Sequence, residues 1–140
     1  MNEHILSIAD TARNSISSYC INDCQAKCCK HGALLLQSEQ ELHTIIENKK
    51  KQLLKKNILK VTEQGNYTLN FDKWGHCKNL SEENLCQIHK NPKRPRICGD
   101  FPLFVFKQYY SLATEFCPAA KAGLLDKYCK QIEELGQRKI

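Results

Sequence analysis

No stretch of the sequence approaches the roughly 20 consecutive apolar residues of a membrane-crossing helix, so a helical membrane protein is excluded as a reading. Residues Met1 to Asp10 carry Asn2, Glu3 and His4 where a secretory leader would place a basic segment and an apolar run. The expectation is therefore a cytoplasmic protein. There is no glycine-rich phosphate loop, no His-Glu-x-x-His pair and no Rossmann fingerprint. With no self-contained catalytic motif, the sequence leaves open whether the protein is an enzyme. Internal repeats, low-complexity segments and linkers are also missing. The 140 residues read as a single domain over 1–140, with enough chain for a modest core.

What the sequence has in excess is cysteine. Nine are present, and four fall within Cys20-Ile21-Asn22-Asp23-Cys24-Gln25-Ala26-Lys27-Cys28-Cys29. The others stand at Cys77, Cys86, Cys98, Cys117 and Cys129. A reducing cytoplasm disfavours structural disulfides, and an odd count fits a disulfide framework poorly. Metal is the reading that remains. Thiolates at Cys-x3-Cys-x3-Cys spacing can curl a short loop around one soft cation or iron–sulfur cluster, with the later cysteines folded back onto it. The formal charge of +6 counts every cysteine as neutral. Each zinc held by four thiolates contributes −2, so two such sites would lower +6 to about +2. Part of the apparent basicity thus compensates a buried anionic centre, and no large nucleic-acid footprint follows from it.

Taken in order, Ile5, Ile8, Ala12, Ile16 and Tyr19 recur at helical spacing, which predicts an amphipathic helix over 1–19. Gly32 permits a tight turn before the apolar run Ala33-Leu34-Leu35-Leu36, expected as a buried strand. Ser38-Glu39-Gln40-Glu41 matches a capping box, and Leu42, Ile45, Ile46, Leu53 and Leu54 extend one stripe, so a long helix is expected from Ser38 to about Lys56. Lys49, Lys50, Lys51, Lys55 and Lys56 lie on its outer face without neighbouring aromatics for base stacking, and read as solvated surface. Segments 58–62 and 67–71 flank Glu63-Gln64-Gly65-Asn66 as a hairpin with one apolar face. Trp74 and Gly75 lead into Cys77.

Cys77 to Leu80 and Leu85 to Ile88 surround the polar turn Ser81-Glu82-Glu83-Asn84, a two-armed loop that can place Cys77 and Cys86 on one side. Pro92 and Pro95 push their predecessors toward extended backbone, making 91–96 a stiff connector that aims Cys98. A second hairpin is expected over 103–116, and Pro118 suits the first position of a last helix over 118–140. The expected fold is a small α+β domain with short hairpins, three main helices and a cysteine-rich metal site. Its N-terminal helix (1–19) and C-terminal helix (118–140) flank a cysteine-cluster core (20–117).

Eight cysteines sit beside a turn, a glycine or a proline: Cys20, Cys24, Cys28, Cys29, Cys77, Cys86, Cys98 and Cys117. These are the candidate metal ligands, either two sets of four or one set with further thiols. Cys129, next to Tyr128 on an apolar stripe, reads as a small buried hydrophobe. Adjacent Cys28 and Cys29 cannot point the same way in regular structure, so they serve two neighbouring centres or only one of them ligates. His31, His76 and His89 are the other soft-metal candidates, with surface or supporting roles as the alternative. Zinc suits four thiolates or three with an imidazole, and a [4Fe–4S] cluster also takes four. A nucleophilic cysteine would need a cationic neighbour such as Lys27, Lys30 or His31, which would equally offset thiolate charge at a structural site.

The ordered set Cys20-x3-Cys24-x3-Cys28-Cys29-x2-Gly32, Cys77-x2-Leu80-x5-Cys86-x-Ile88 and Arg94-Pro95-x2-Cys98-x2-Phe101-Pro102 resembles the YkgJ-type cysteine-cluster family, described as zinc- or iron-chelating. Cys117-Pro118 resembles the family's later Cys-Pro. The resemblance implies metal binding through the matching cysteines. A similar cysteine pattern occurs in flagellin lysine-N-methylases, where it implies an iron–sulfur centre. Two departures stand out. The first spacing is wider than the common x2-x2, and nothing resembles the region that a methylase would need for its methyl donor. The main expectation is a protein holding zinc or iron through clustered thiolates. Alternatives are an iron–sulfur enzyme or accessory subunit modifying a protein or small molecule, and a zinc-stabilised nucleic-acid or protein adaptor. The expected partner is a metal ion, with a protein partner and nucleic acid left open and no membrane.

Overall fold

A computed structural model describes residues 2–140 as an α+β fold. Two compact units are formed, one by the chain up to Gln25 together with Asp100–Ile140, the other by Ala26–Gly99. The chain opens with α1 (Glu3–Ser15) and α2 (Ser17–Asn22). A 3-10 turn (Lys27–Cys29) precedes β1 (Ala33–Leu36), α3 (Glu39–Ile46), α4 (Lys50–Lys55), β2 (Leu59–Val61) and β3 (Tyr67–Asn70). Then come α5 (Phe71–Trp74), α6 (Arg96–Asp100), β4 (Leu103–Val105), β5 (Tyr109–Leu112), α7 (Pro118–Lys121), α8 (Asp126–Glu134) and β6 (Arg138–Lys139). The three longest helices are α1, α3 and α8.

The central unit, Ala26–Gly99, is built on a three-stranded antiparallel sheet of order β1-β3-β2. Leu34 faces Leu69 and Leu36 faces Tyr67 across β1 and β3, while Leu59 pairs with Leu69 from β2. Alternation puts Leu34 and Leu36 inside and leaves Leu35 outward, as the period of a strand requires. The core beneath joins these leucines to Leu42, Ile45, Ile46, Leu53 and Phe71. The expected long helix is broken at Glu47, whose φ of 56° starts a turn before α4. A straight helix would carry Leu53 about 10 Å beyond Ile46 along its axis. The break returns Leu53 to the same core.

The capping box is half realised. Ser38 Oγ accepts from the Glu41 N–H at 3.1 Å, but Glu41 Oε1 accepts from Gln37 N–H at 2.9 Å instead of from the cap residue. Its second oxygen accepts from Arg96 N–H at 3.0 Å, tying α3 to α6. Of the lysines on the outer face, Lys50 is engaged. Its Nζ donates to Glu39 at 2.8 Å and to the Tyr67 hydroxyl at 3.0 Å, and that hydroxyl donates to Glu39.

In the terminal unit, Ile5, Ala9, Ala12 and Ile16 bury one face of α1 in a core shared with Leu103, Val105, Tyr110, Leu125 and Ile132. Arg13 fastens the helix to the chain around β4, donating Nε to the Asp100 carbonyl at 2.9 Å and Nη2 to the Leu103 carbonyl at 2.6 Å. The helix expected over 1–19 bends at Ile16 and resumes as α2, so Cys20 sits on a helix and not in a loop. The helix expected over 118–140 is interrupted at Gly123 (φ +82°) and ends at Glu134. Beyond it β6 pairs in parallel with β5, with Arg138 N–H donating to Gln108 O at 3.0 Å and Ile140 N–H to Tyr110 O at 2.9 Å. Strand addition to a sheet edge satisfies those backbone groups, which no local helical periodicity anticipates.

Two outcomes are expected. Leu69→Ala removes a fully buried side chain at the centre of β3 and should lower the unfolding free energy of the central unit by about 2–5 kcal/mol in a denaturant titration. The second concerns pH. The Lys50 hydrogen bond, then that of Tyr67, lowers the Glu39 pKa below its ordinary 4.5. The contribution of Glu39 is therefore fully present above that ordinary value and fades as pH falls through its lowered folded value. The melting-temperature difference between wild type and Glu39→Gln should be visible at neutral pH and close at the acid end of a pH series.

Candidate metal centre

Four cysteines of the central unit, carried by four different segments, lie within reach of one another's charge: Cys29, Cys77, Cys86 and Cys98. Cys29 ends the 3-10 turn, whose Cys29 N–H donates to Ala26 O at 2.9 Å. Cys77 follows α5 and Gly75, where φ of +99° turns the chain. Its N–H donates to the Cys29 carbonyl at 2.7 Å, which fastens two of the four segments directly. Cys86 lies on the returning arm of the expected two-armed loop, which closes through an antiparallel bridge from Leu80 to Cys86 and a Gln87 N–H bond to Asn79 O at 2.7 Å. Asn84 takes the left-handed turn position with φ of 65°. Cys98 rides on α6, its N–H donating to Pro95 O at 3.0 Å.

Cys77 is buried, and Cys29, Cys86 and Cys98 are partly buried. Burial pushes the Cys98 thiol up to about 12, and prospective thiolates at Cys29, Cys77 and Cys86 add to the rise against a lowering by Arg94. Burial likewise raises Cys77, with Cys29 and Cys86 contributing. Asn79 opposes that rise. Its Nδ2 donates to Ile45 O at 2.9 Å and lies 3.8 Å from Cys77 Sγ, linking the sulfur to the end of α3. Sequence reasoning missed Asn79, because a polar residue in a turn carries no mark of what it will face.

The terminal unit holds a second group. Burial raises the Cys117 pKa, the backbone N–H groups of Ala120 and Ala119 lower it, and Cys24 and Cys20 raise it again. Cys20 comes from α2, Cys24 from the turn after it, and Cys117 from the position just before α7. Cys24 and Cys117 are both buried. Cys28 stands beside Cys29 in the 3-10 turn, where neighbouring side chains diverge by about 120°. Cys129 is buried in the core of the terminal unit with Tyr110 and Ile132. All nine cysteines are thiols.

The histidines behave differently from one another. His31 Nδ1 meets Asp72 Oδ1 at 3.0 Å on an exposed surface. His89 Nδ1 accepts from Arg94 Nη1 at 3.1 Å. An arginine can only donate, so His89 is neutral there with its proton on Nε2, and burial with the charges of Arg94 and Lys90 lowers its pKa. Neither nitrogen of His89 then offers a lone pair to a metal. His76 is half-buried beside Cys77.

As they stand, no three of the described His, Cys, Asp and Glu side chains form a closed ligand set. Charge is felt across several ångströms, whereas a zinc tetrahedron needs each sulfur about 2.3 Å from the ion. The thiols are thus neighbours and not a preformed cage. Their chemistry nevertheless fits zinc or iron. Soft sulfur donors are gathered where burial and mutual repulsion oppose ionisation, and a cation reverses both effects. Nearby in the chain, Arg94 Nε is buried without an acceptor.

No helix among the described residues is long and apolar enough to cross a membrane. No curated protein and no solved structure matches the chain. A protein-family match extends over residues 19–118, from within α2 through Cys117-Pro118. That span takes in every one of the eight cysteines named as candidates, and on this match the chain belongs to the CxxCxxCC family, a putative zinc- or iron-chelating domain.

Proposed function

We propose that this protein holds zinc or iron through the thiolates of Cys29, Cys77, Cys86 and Cys98, with Cys20, Cys24, Cys28 and Cys117 as the remaining ligand candidates. The observation carrying this reading is the gathering of four thiols, from segments up to 69 positions apart in sequence, within range of one another's charge. Their supporting segments are a 3-10 turn, a loop, a two-armed loop and a five-residue helix, which bury little by themselves. Metal coordination would supply what these segments lack, since structural zinc contributes on the order of 10 kcal/mol in small modules. A cytoplasmic, reducing compartment belongs to the same proposal, because the ligands must remain thiols.

Four thiolates also suit a [4Fe–4S] cluster. Protein purified without oxygen should contain stoichiometric zinc or iron, and its visible spectrum separates the two: colourless for zinc, brown and bleaching in air for a cluster. Cys98→Ser and Cys77→Ser should each cut the retained metal several-fold, and chelation should lower the melting temperature of the wild type. Protein that carries no metal after such a preparation, takes none up and melts identically with and without chelator would sink the proposal.

A further inference from the structure

The sheet of the terminal unit has two unlike faces. Leu103, Val105 and Tyr110 turn into the core shared with α1, and alternation sends Phe104, Phe106, Tyr109 and Ser111 to the other side. Across the three strands the outward side chains stand in rows. Val105 pairs with Tyr110, so Phe106 comes opposite Tyr109, whose carbonyl accepts the Phe106 N–H at 2.7 Å. Tyr109 in turn pairs with Arg138 of β6. The next row joins Phe104 to Ser111, with Ile140 beyond them. Phe104 also meets Phe101 edge to face, with ring centroids 6.2 Å apart. Phe106 is 50% exposed, Tyr109 44% and Ile140 74%, so the described chain leaves this face open.

The face is cationic as well as aromatic. From Phe101 to Leu112 the only charged residue is Lys107, in the turn beside Phe106, and β6 adds Arg138 and Lys139. Glu133, which accepts from the Tyr110 hydroxyl, belongs to the covered side. No ion pair among the described residues takes up Lys107 or Arg138. An open apolar patch marks a binding surface, and the chemistry of this one selects its partner. A second copy would crowd the same cations into one interface without a carboxylate to pair them. Single-stranded nucleic acid supplies what the face lacks: flat bases to stack on the rings, and phosphates for the cations. We propose that the outer face of the β4-β5-β6 sheet binds single-stranded nucleic acid, stacking bases on Phe106 and Tyr109 and holding the backbone with Arg138 and Lys107. The face holds no cysteine, and Arg138 lies beyond the residues matched to the family, so the inference is independent of the metal reading.

The probes are fluorescently labelled oligothymidylate and oligouridylate of about 12 nucleotides, within the range of site sizes of single-strand binders. Each is titrated with the full chain and followed by anisotropy. Binding of either probe supports the assignment, and the ratio of the two reads the contribution of the 2′-hydroxyl. A duplex of equal length should bind more weakly, since pairing hides the faces of its bases. F106A and Y109A should each weaken binding by about 5- to 150-fold, the equivalent of one stacked base, whereas Y109F, which keeps the ring, should bind as wild type does. R138Q should make the slope of log affinity against log salt shallower by about 0.7. Wild-type protein that binds neither probe at about 50 mM salt, or alanine variants with wild-type affinity, overturns the proposal. So does displacement of the probe by polyglutamate as readily as by unlabelled oligonucleotide, or a wild-type dimer that F106A dissociates. Should an alanine variant fail to fold, F106L, which keeps an apolar side chain and loses the ring, decides: weakened binding supports the assignment, unchanged binding overturns it.

Discussion

Ionising several sulfurs close together in a protein interior is opposed twice, by the loss of hydration and by their mutual repulsion. At Cys98 the two effects act in the same direction. Nothing in the hydrocarbon core of the central unit relieves that opposition, and a single hydrogen bond from Asn79 or one nearby guanidinium offsets only part of it. A bound cation relieves most of it. The arrangement of the central unit is intelligible once this constraint is taken as primary: the apolar sheet and its helices form a platform, and the thiols occupy the less regular segments carried on it.

Few contacts connect platform and thiols, and they are specific. The Cys29 carbonyl receives Cys77 N–H, the Ile45 carbonyl at the end of α3 receives Asn79, and the Glu41 carboxylate receives Arg96 N–H at the start of α6. Each of these bonds is worth only about 0.5–3 kcal/mol by itself. They fix direction more than they add stability.

The terminal unit repeats the theme with a different scaffold. Cys20 lies in α2 and Cys24 in the turn after it, and Cys117, from the segment before α7, is within range of their charge. Its core includes Ile5, Ala9, Ala12, Leu103, Leu125 and Ile132, and Cys129 belongs to that core. Cysteine thus occurs in two settings in this chain: Cys129 packs as a small apolar side chain, while Cys29, Cys77, Cys86 and Cys98, and Cys20, Cys24 and Cys117, stand in groups within range of one another's charge.

Much of the fold was legible in the residues themselves. A short apolar run located β1, two segments around a polar turn located the β2–β3 hairpin, the polar Ser81–Asn84 turn announced the bridge between Leu80 and Cys86, and the helix cap at Ser38 was correct. Periodicity overran the ends of helices in three places, at Ile16, Glu47 and Gly123. At each of them the requirement to return an apolar side chain to a core, or a backbone to a sheet edge, overrode the local preference.

What the sequence determined alone was chemistry: nine thiols, their grouping beside turns and prolines, and the family to which that order belongs. Tertiary structure decided which sulfurs are neighbours, sorting Cys29 with Cys77, Cys86 and Cys98, and Cys117 with Cys20 and Cys24. It also decided that Asn79 stands 3.8 Å from the Cys77 sulfur. The reason is that local preference acts over a few residues, while the distance between two sulfurs dozens of positions apart depends on how every intervening turn is packed.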